Sequence, residues 1–479
     1  MSFVGLIDQV AAAATATQVM TDGSFACPYP SLPGLLDAVD RQLGREGLEA
    51  EDIPAVVGTN ILPGALTLLA CLARGRSFFL LPGPVPVSGV PHFCRKVLHV
   101  EPAVTDAGSA RFAEPEQWLR VRENPDFSGI PCDIAGVRGK LLLRTSGSMG
   151  AGKIVVHDHV RLLRNALNCR ERFDLDAGDR VTLPVPIFHM YGLGAGFLPA
   201  LAAGASVNLD ANSNILRYLE SERRFQPTVA FLNPTLCDML LRGHRRGRAY
   251  RRVVTSTQRI DEPTFRAFDA RFGGLVNLYG SSEMGAIAAC RGEESLDRRA
   301  VLLGEPMAGV ELRLGEPGTE PSAAVEIFCR HLTGFEGYLD DLGHWLRRIH
   351  PGEWYGTGDL ATTNGAGDLV VQGRTNNSVN RNGHLVLLGD IEKAMEGLGA
   401  IAQAVVVATE APGCHGRGAR LTAFCAPRRA TPLNAAEVRA ACFDLLPRHA
   451  IPDDVIIVDQ WPLLPSGKVD RQRLMTLAA

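Results

Sequence analysis

Short apolar segments alternate with helical segments in three parts of the chain, and this rhythm restricts the possible folds more than any other feature. The first part reads PAVVGTN, ALTLLACLARG and SFFLLPG, which is strand, helix and strand (54–83). The same order returns at 181–209 and at 228–279. Strands that are apolar along their whole length are typical of parallel sheets with helices on both faces. We therefore expect an α/β fold with parallel-rich sheets.

The pattern changes in the last third of the chain. The segments GVELRLG, AAVEIFCRH and DLVVQGR alternate apolar and polar residues, which indicates a more antiparallel, β-rich subdomain. Farther on, IEKAMEGL favours a helix, and AQAVVVATE and RLTAFCAP favour strands of a small α+β domain. Because 479 residues exceed the size of one hydrophobic core, we predict a large N-terminal domain (1–374) and a small C-terminal domain (375–479).

Charge and cysteine usage exclude several classes of protein. The net charge of -3 and the pI near 6.5 provide no general basic field, so we expect neither nucleic acid nor a membrane as partner. The N-terminus has Asp8 but no Lys or Arg in or before its apolar part, which is unlike a signal peptide. Cysteines are scattered without a CxxC pair, which favours buried, reduced thiols and a cytoplasmic location.

The segment LLLRTSGSMGAGKIVVH (141–157) satisfies the GxxxxGK consensus of a Walker A loop from Gly147 to Lys153. Ile154 replaces the hydroxyl residue that holds Mg²⁺ in such loops, and the following residues favour a strand where a Walker A loop needs a helix. We therefore reject the Walker A interpretation. A turn rich in hydroxyl groups and glycines between two strands remains, and such a turn brings backbone N–H groups close to an anion.

Six further segments follow this turn in a specific order. The seven are TSGSMGAGK (145–153), PVPIFHMYGLGAG (184–196), LYGSSEMG (278–285), LLGEPMAGVEL (302–312), EWYGTGDLA (353–361), GRTNNSVNRNGHLVLLGDIE (373–392) and LPSGKVDR (464–471). Together they resemble the motifs of the adenylate-forming superfamily, which includes acyl- and aryl-CoA synthetases, adenylation domains of nonribosomal peptide synthesis, and luciferases. The resemblance extends from about residue 50 to the end of the chain.

The resemblance implies that a carboxylate attacks the α-phosphorus of ATP, expelling pyrophosphate and leaving an acyl-adenylate. Both reactants are anions, so the protein must neutralise charge and hold them in line. Glu283 would coordinate Mg²⁺, which prefers oxygen ligands. The residues that would bind ATP or AMP are Thr145, Ser146, Gly147, Ser148, Gly150, Lys153, Tyr279, Gly280, Ser281, Ser282, Asp359 and Arg374.

Lys468 is the catalytic residue that the resemblance implies, because its ammonium would stabilise charge between the carboxyl oxygen and the α-phosphate. In the family, the small C-terminal domain is mobile and rotates about a hinge for the transfer to a thiol. Asn376 stands at the usual hinge acid, and Gly383 matches the glycine that lets the pantetheine arm pass. His189 would line the acyl pocket and guard the route to the thiol.

The predicted acyl pocket departs from the family pattern. Its residues are His189, Tyr191, Gly192, Asn233, Ser256, Thr257, Gln258, Met284 and Gly285. The polar TSTQRI (255–260) stands where the family has glycines, which favours a small or hydrogen-bonding acyl group. Residues 188–190 supply no carboxylate for an α-ammonium, whose unpaired burial would be costly. We therefore expect an aromatic or short-chain acid without an α-amino group.

Three functions remain open from the sequence. The first is a ligase that transfers the acyl group to CoA or to the phosphopantetheine of a separate carrier protein. The second is an adenylate-forming amide synthetase with an amine acceptor. The third is a non-catalytic nucleotide-binding homologue, against which the presence of Lys468, Glu283, Asp359 and Arg374 argues.

Overall fold

The computed structural model describes residues 1–83, 89–102, 114–131, 134, 138–145, 153–210, 214–243, 248–258, 260–315, 324–375, 378–381, 384–409, 420–428, 433–463 and 469–478. Their contacts divide them into two compact units. The first comprises Met1–Ser146, Gly152–Leu312 and Cys329–Trp354, and the second comprises Arg313–Phe328 and Tyr355–Ala479. The domain boundary after residue 374 stays a prediction.

The strands are, in chain order, β1 (Val19–Thr21), β2 (Ala26–Pro28), β3 (Ala55–Gly58), β4 (Phe78–Pro82), β5 (Lys96–Val100), β6 (Leu119–Glu123), β7 (Lys140–Arg144), β8 (Ile154–Asp158), β9 (Arg180–Leu183), β10 (Ser206–Leu209), β11 (Val229–Leu232), β12 (Arg252–Thr255), β13 (Leu275–Ser281), β14 (Gly285–Ala289), β15 (Glu305–Pro306), β16 (Val310–Leu314), β17 (Val325–His331), β18 (Gly337–Leu339), β19 (Trp345–Arg348), β20 (Tyr355–Thr363), β21 (Leu369–Arg374), β22 (Ser378–Arg381), β23 (His384–Leu387), β24 (Ile401–Thr409), β25 (Arg420–Pro427) and β26 (Asp454–Ile457).

The α-helices are α1 (Phe3–Ala13), α2 (Leu32–Arg45), α3 (Leu62–Ala73), α4 (Pro115–Trp118), α5 (His159–Arg172), α6 (Leu198–Ala203), α7 (Ile215–Phe225), α8 (Pro234–Gly243), α9 (Glu262–Phe272), α10 (Leu296–Val301), α11 (Leu388–Glu396), α12 (Ala435–Leu445) and α13 (Arg471–Ala478). A π-helix spans Tyr191–Phe197, and 3₁₀ turns span Tyr29–Ser31 and Arg448–Ala450.

The nine-stranded sheet of the first unit runs in the order β15-β14-β13-β12-β11-β9-β10-β1-β2. Its central pairs, from β13 to β1, are parallel, and β14, β15 and β2 are added antiparallel at the two sides. The strands β10, β11 and β12 are buried at every position. The predicted parallel-rich sheet is confirmed, and the carboxyl ends of its parallel strands lie along one edge.

The eight-stranded sheet of the same unit runs in the order β19-β18-β8-β7-β4-β3-β5-β6. The strands β7, β4, β3 and β5 are parallel to one another. The strand β8 turns back antiparallel on β7, and β18 pairs antiparallel with β8. Residues 154–158 therefore form the predicted strand and not the helix of a Walker A loop.

Helices of the first unit lie between and beside these sheets. The helix α5 contacts β8 of one sheet and β14 of the other, and it also contacts α6. The helix α3 is buried from Leu62 to Leu72, as expected for a helix that is apolar on all sides. Gly75 follows α3 with φ +62°, a backbone conformation that favours glycine, and it ends the helix where the sequence predicts.

The second unit contains an antiparallel sheet and a small α+β region. Most of a four-stranded sheet in the order β16-β17-β20-β21 belongs to it, with β20 and β21 antiparallel. A three-stranded sheet, β24-β25-β26, contacts α11, α12 and α13. Its core includes Ile391 and Met395 of α11 and Val406 and Ala423 of the strands. This α+β arrangement confirms the fold expected for the end of the chain.

Cysteine burial also agrees with the sequence. Every cysteine in the described part of the chain is buried and outside any disulfide. Among the helices of the described ranges, none combines the length and the apolar character needed to cross a bilayer.

His159, the first residue of α5, is a buried histidine that packs against two phenylalanine rings. Its ring lies 6.0 Å from that of Phe3 and 5.8 Å from that of Phe78. Burial disfavours the imidazolium and lowers the pKa of His159 from 6.5 to about 4. In this interval the unfolded chain takes up a proton that the folded protein does not. The free energy of unfolding is therefore highest above the ordinary histidine pKa. It decreases as the pH falls toward the pKa of His159 in the folded protein, by up to about 1.4 kcal/mol per pH unit.

We expect His159→Phe to lose less stability on acidification than the wild-type protein, because phenylalanine cannot take up this proton. Urea unfolding at neutral pH and at about pH 5 measures the difference. His344→Gln is the control, because the His344 side chain is 58% exposed, and it should follow the wild type. An unchanged pH dependence in His159→Phe would contradict the assignment.

Candidate active site

The strands β7 and β8 pair on either side of the segment that is predicted to bind phosphate. Thr145 donates to the Lys153 carbonyl from its backbone N–H at 3.0 Å and from its hydroxyl at 3.2 Å. These bonds extend the pairing of β7 and β8 by one residue pair beyond Arg144 and Ile154. Ser146, Gly147, Ser148 and Gly150 lie outside the described residues, so their predicted role in ATP binding stays a prediction.

The turn between β13 and β14 carries Glu283 and is held by backbone contacts. The Met284 N–H donates to Ser281 Oγ at 3.0 Å. The imidazole Nε2 of His157, from β8, lies 2.6 Å from the Ser282 carbonyl oxygen. Burial lowers the pKa of His157 to about 4, so its ring is neutral at neutral pH and its Nε2–H donates to this carbonyl. The turn is thereby tied to the eight-stranded sheet.

Tyr338 contacts both Glu283 and Lys153. The Tyr338 hydroxyl donates to Glu283 Oε1 at 2.9 Å, and Lys153 Nζ lies 5.0 Å from the centroid of the Tyr338 ring. The Phe335 N–H donates to the Glu283 carbonyl at 2.8 Å, and its ring packs edge-on against Tyr338 at 4.9 Å. A carboxylate and an ammonium predicted to act on the same nucleotide therefore share one aromatic neighbour.

A single carboxylate suits the magnesium ion that the resemblance implies. Mg²⁺ usually keeps several waters and is bound through one or two carboxylates plus substrate phosphates. Glu283 is partly exposed on a fixed turn and has one oxygen oriented by a hydroxyl. This donor chemistry fits the ion.

Tyr279 and Gly280 lie at the end of β13, beside the same turn. Tyr279 is partly buried and pairs with Ala288 of β14, and the register shifts between Tyr279 and Gly280. A Cβ on Gly280 would come within 2.4 Å of the Gly285 carbonyl oxygen. Only glycine permits this close approach of the two strands.

The predicted acyl-pocket residues gather at the carboxyl edge of the nine-stranded sheet. Asn233 follows β11 and caps α8, because its Oδ1 accepts from the Leu236 N–H at 2.8 Å. Ser256 follows β12 and donates to the Leu278 carbonyl of β13 at 2.9 Å. The Tyr191 hydroxyl lies 2.9 Å from the Leu232 carbonyl of β11. The structure thus brings predicted pocket residues from three separate segments of the sequence to this edge.

The π-helix between Tyr191 and Phe197 departs from the ordinary helix that its sequence predicts. A Cβ on Gly192 would lie 2.1 Å from the Pro186 carbonyl oxygen, so the chain can fold back only with glycine there. Asn165 of α5 donates to the Gly194 carbonyl at 2.8 Å and accepts from the Ala286 N–H at 2.9 Å. Wider helical turns of this kind are frequent at functional sites.

His189 lies just before the π-helix with an exposed side chain. Its carbonyl accepts from the Leu193 N–H at 2.9 Å, which fixes its backbone. The neighbouring residues Phe188 and Met190 are buried. Exposure suits a residue that lines a pocket, and the role of His189 stays a prediction.

Thr257 has an unusual backbone conformation at this edge. Its φ of +77° lies in the left-handed region, where a β-branched residue is a genuine outlier. Thr257 and Gln258 are both exposed, whereas Ser256 is buried. Strained positions of this kind persist where the surrounding structure imposes them, often at ligand sites.

The second unit presents the predicted ribose-binding pair. Asp359 of β20 is buried, and Arg374 Nε at the end of β21 donates to its Oδ1 at 2.8 Å. The two residues face each other in the register of the strands. Gly358 precedes Asp359 with φ +73°, and its carbonyl accepts from the Thr375 hydroxyl at 3.1 Å. This geometry fixes a carboxylate that could accept two hydroxyl donors.

Three further predicted residues, Asn376, Gly383 and Lys468, lie outside the described residues. The hinge, thiol-tunnel and catalytic roles stay predictions. Conversely, two residues that the motifs did not indicate have clear contacts in the site, Tyr338 and Asn165. For Tyr338, the sequence offered only the short apolar segment GYL (337–339), which directly follows GFE (334–336). For Asn165, it offered only a polar residue on an apolar helix face.

Two family models match this chain. Residues 140–339 match the model of a family described as AMP-binding enzyme, and residues 390–468 match the model of the AMP-binding enzyme C-terminal domain. The two matches together cover more than half of the chain. The first includes Lys153, Glu283 and Tyr338.

Individual relatives extend over nearly the whole chain. An indoleacetate–CoA ligase from Aromatoleum aromaticum is 27% identical over 94% of this chain and 93% of its own length. The crystal structure of ATP-bound MatB from Rhodopseudomonas palustris has a TM-score of 0.80 at 18% identity, covering 100% of this chain and 99% of that one. The amide bond synthetase McbA from Marinactinospora thermotolerans has a TM-score of 0.75 at 21% identity, with 99% of each chain covered.

We expect Thr257→Gly to stabilise the ligand-free protein by about 1 kcal/mol. The left-handed conformation costs a residue with a Cβ about 1–2 kcal/mol, and the greater flexibility of unfolded glycine offsets part of the gain. Urea unfolding compares the variant with Gln258→Gly, a neighbouring exposed residue without positive φ, which should lose stability. Destabilisation by both substitutions would show that Thr257 is not strained.

Proposed function

Because the chain belongs to the AMP-binding enzyme family of adenylate-forming ligases, we propose that it makes an acyl-adenylate from ATP and a carboxylic acid and then a thioester. In the first step the carboxylate oxygen bonds to the α-phosphorus and pyrophosphate leaves. In the second step the thiol of CoA, or of a carrier protein's phosphopantetheine, takes the acyl group and AMP leaves.

One observation carries this proposal, the contact of Tyr338 with both Glu283 and Lys153 beside the β7–β8 hairpin. The arrangement provides a carboxylate for a divalent cation and a cation for phosphate oxygens at neighbouring positions. Both are needed where a tetra-anionic nucleotide meets an anionic acid, because in-line attack requires neutralised and aligned reactants.

Each remaining role follows from the chemistry of the side chain. Lys153 and the turn after Thr145 would bind the β- and γ-phosphates. Glu283 would hold Mg²⁺, which supplies charge neutralisation when bound. Asp359, with Arg374 beside it, would accept the ribose hydroxyls. Lys468 would stabilise the charge that develops between the acid and the α-phosphate.

The acid is an aromatic or short-chain acid without an α-amino group. The segment before the π-helix, Phe188 to Met190, contains no carboxylate, and two of its three side chains are buried. An α-ammonium placed there would lack a partner, which is costly in a desolvated pocket. The indoleacetate specificity named for one relative belongs to the same chemical class of plain aromatic acids.

One incubation tests the proposed reaction. Purified protein, ATP and Mg²⁺ are combined with a panel of benzoic, arylacetic, short-chain and α-amino acids, followed by CoA, phosphopantetheinylated carrier protein or an amine. We expect ATP–pyrophosphate exchange with plain acids and a thioester in the mass spectrum. An amide would assign the acceptor to the alternative function, exchange with α-amino acids alone would contradict the acid class, and no exchange would overturn the proposal.

We expect Lys468→Ala to reduce adenylate formation by at least about a hundredfold, as the loss of one transition-state charge contact does. Thioester formation from supplied acyl-adenylate should fall far less. Lys393→Ala is the matched control, because Lys393 is exposed in the last turn of α11, and both half-reactions should be unchanged. Equal losses in both half-reactions of Lys468→Ala would contradict its assignment to the first step.

A further inference from the structure

Tyr338 lies outside the residues assigned so far to nucleotide, acid, acceptor or metal, although it contacts two of them. We propose that Tyr338 is a positioning residue that orients the Glu283 carboxylate for the divalent cation and the Lys153 ammonium for phosphate. The inference rests on the proposed function. It concerns how these two charged groups are held before substrate arrives.

The hydroxyl contact orients the carboxylate. Tyr338 donates to Glu283 Oε1 at 2.9 Å, which engages one lone pair and restricts rotation of the carboxyl group. Groups that hydrogen-bond to metal ligands fix their orientation, and removing them typically weakens metal binding by about 10–100-fold. The turn backbone is held separately by the Phe335 N–H and by His157, so Tyr338 acts on the side chain.

The ring contact orients the ammonium. Lys153 Nζ lies 5.0 Å from the ring centroid, within the range of a cation–π interaction. A lysine has four rotatable bonds, and this contact selects conformations in which the charge stays beside the hairpin. The hydroxyl and the ring therefore have separable effects.

Tyr338 is itself closely packed. It is 8% exposed and sits in β18, opposite Val155 of β8. The Phe335 ring packs edge-on against it at 4.9 Å. A buried side chain that is held by strand pairing and by ring packing can impose a fixed geometry on its more exposed neighbours.

The first test deletes only the hydroxyl. In Tyr338→Phe, we expect the Mg²⁺ concentration for half-maximal pyrophosphate exchange to rise about tenfold, with the rate at saturating Mg²⁺ nearly unchanged. Mn²⁺ titration followed by electron paramagnetic resonance, with α,β-methylene-ATP present, should show the same loss of affinity without any turnover. Tyr29→Phe is the matched control, because it removes the hydroxyl of another buried tyrosine, which donates to the Ala205 carbonyl.

A double-mutant cycle connects the effect to the carboxylate. In a Glu283→Gln background, Tyr338→Phe should cause no further loss of Mn²⁺ affinity, because the oriented ligand is already gone.

Tyr338→Leu, which also removes the ring, should weaken metal-free binding of α,β-methylene-ATP about two- to fivefold, whereas Tyr338→Phe should not.

Three results would overturn the inference. They are an unchanged metal affinity in Tyr338→Phe, additive losses in the Glu283→Gln background, and tighter metal binding, which would mean that the hydroxyl competes with the ion. If no acid supports exchange but Mn²⁺ affinity still falls in Tyr338→Phe, the reaction class is wrong and the positioning role stands.

Discussion

The antiparallel pairing of β18 with β8 is the constraint on which the candidate site depends. Its register sets Tyr338 opposite Val155, two residues after Lys153. Because side chains alternate along a strand, a shift of β18 by one residue would turn Tyr338 to the opposite face of the sheet. Its hydroxyl would then leave Glu283 and its ring would leave Lys153. The three residue pairs between β18 and β8 thus determine whether Glu283 and Lys153 both contact Tyr338.

Ion pairs at the other end of the hairpin support the same register. Lys140 Nζ lies 2.9 Å from Asp158 Oδ2 and 2.9 Å from Glu336 Oε1. Lys140 and Asp158 face each other in β7 and β8, and Glu336 directly precedes β18. Burial acts to lower the pKa of Lys140, but the two carboxylates raise it overall, so the ammonium stays charged. The Lys140 ammonium therefore connects the beginning of β18 to both strands of the hairpin. This contact helps to fix the register of β18, which is too short to fix it by strand pairing alone.

The sequence predicted the architecture well because the fold depends on local patterns. Apolar runs and glycine positions such as Gly75 report strands and helix ends directly. It could not predict the link from Tyr338 to Glu283, because these residues are 55 positions apart and meet only through the pairing of β18. It also could not predict φ at Thr257, because β-branched residues avoid the left-handed region and the surrounding structure overrides that preference. Local propensity therefore failed where tertiary contacts decide the conformation.

The polar segment after β12 contains three residues that were predicted to line the acyl pocket, and the structure separates them into one buried and two exposed side chains. Ser256, Thr257 and Gln258 all suggested hydrogen bonds to the acyl group. The Ser256 side chain, however, is buried and its hydroxyl donates to the Leu278 carbonyl, so its proton serves to join two parallel strands. Thr257 and Gln258 remain exposed at the carboxyl edge, where ligands of such sheets bind. Under the proposed function, Thr257 and Gln258 are therefore the polar residues of this segment that would contact the acid, whereas Ser256 links β12 to β13.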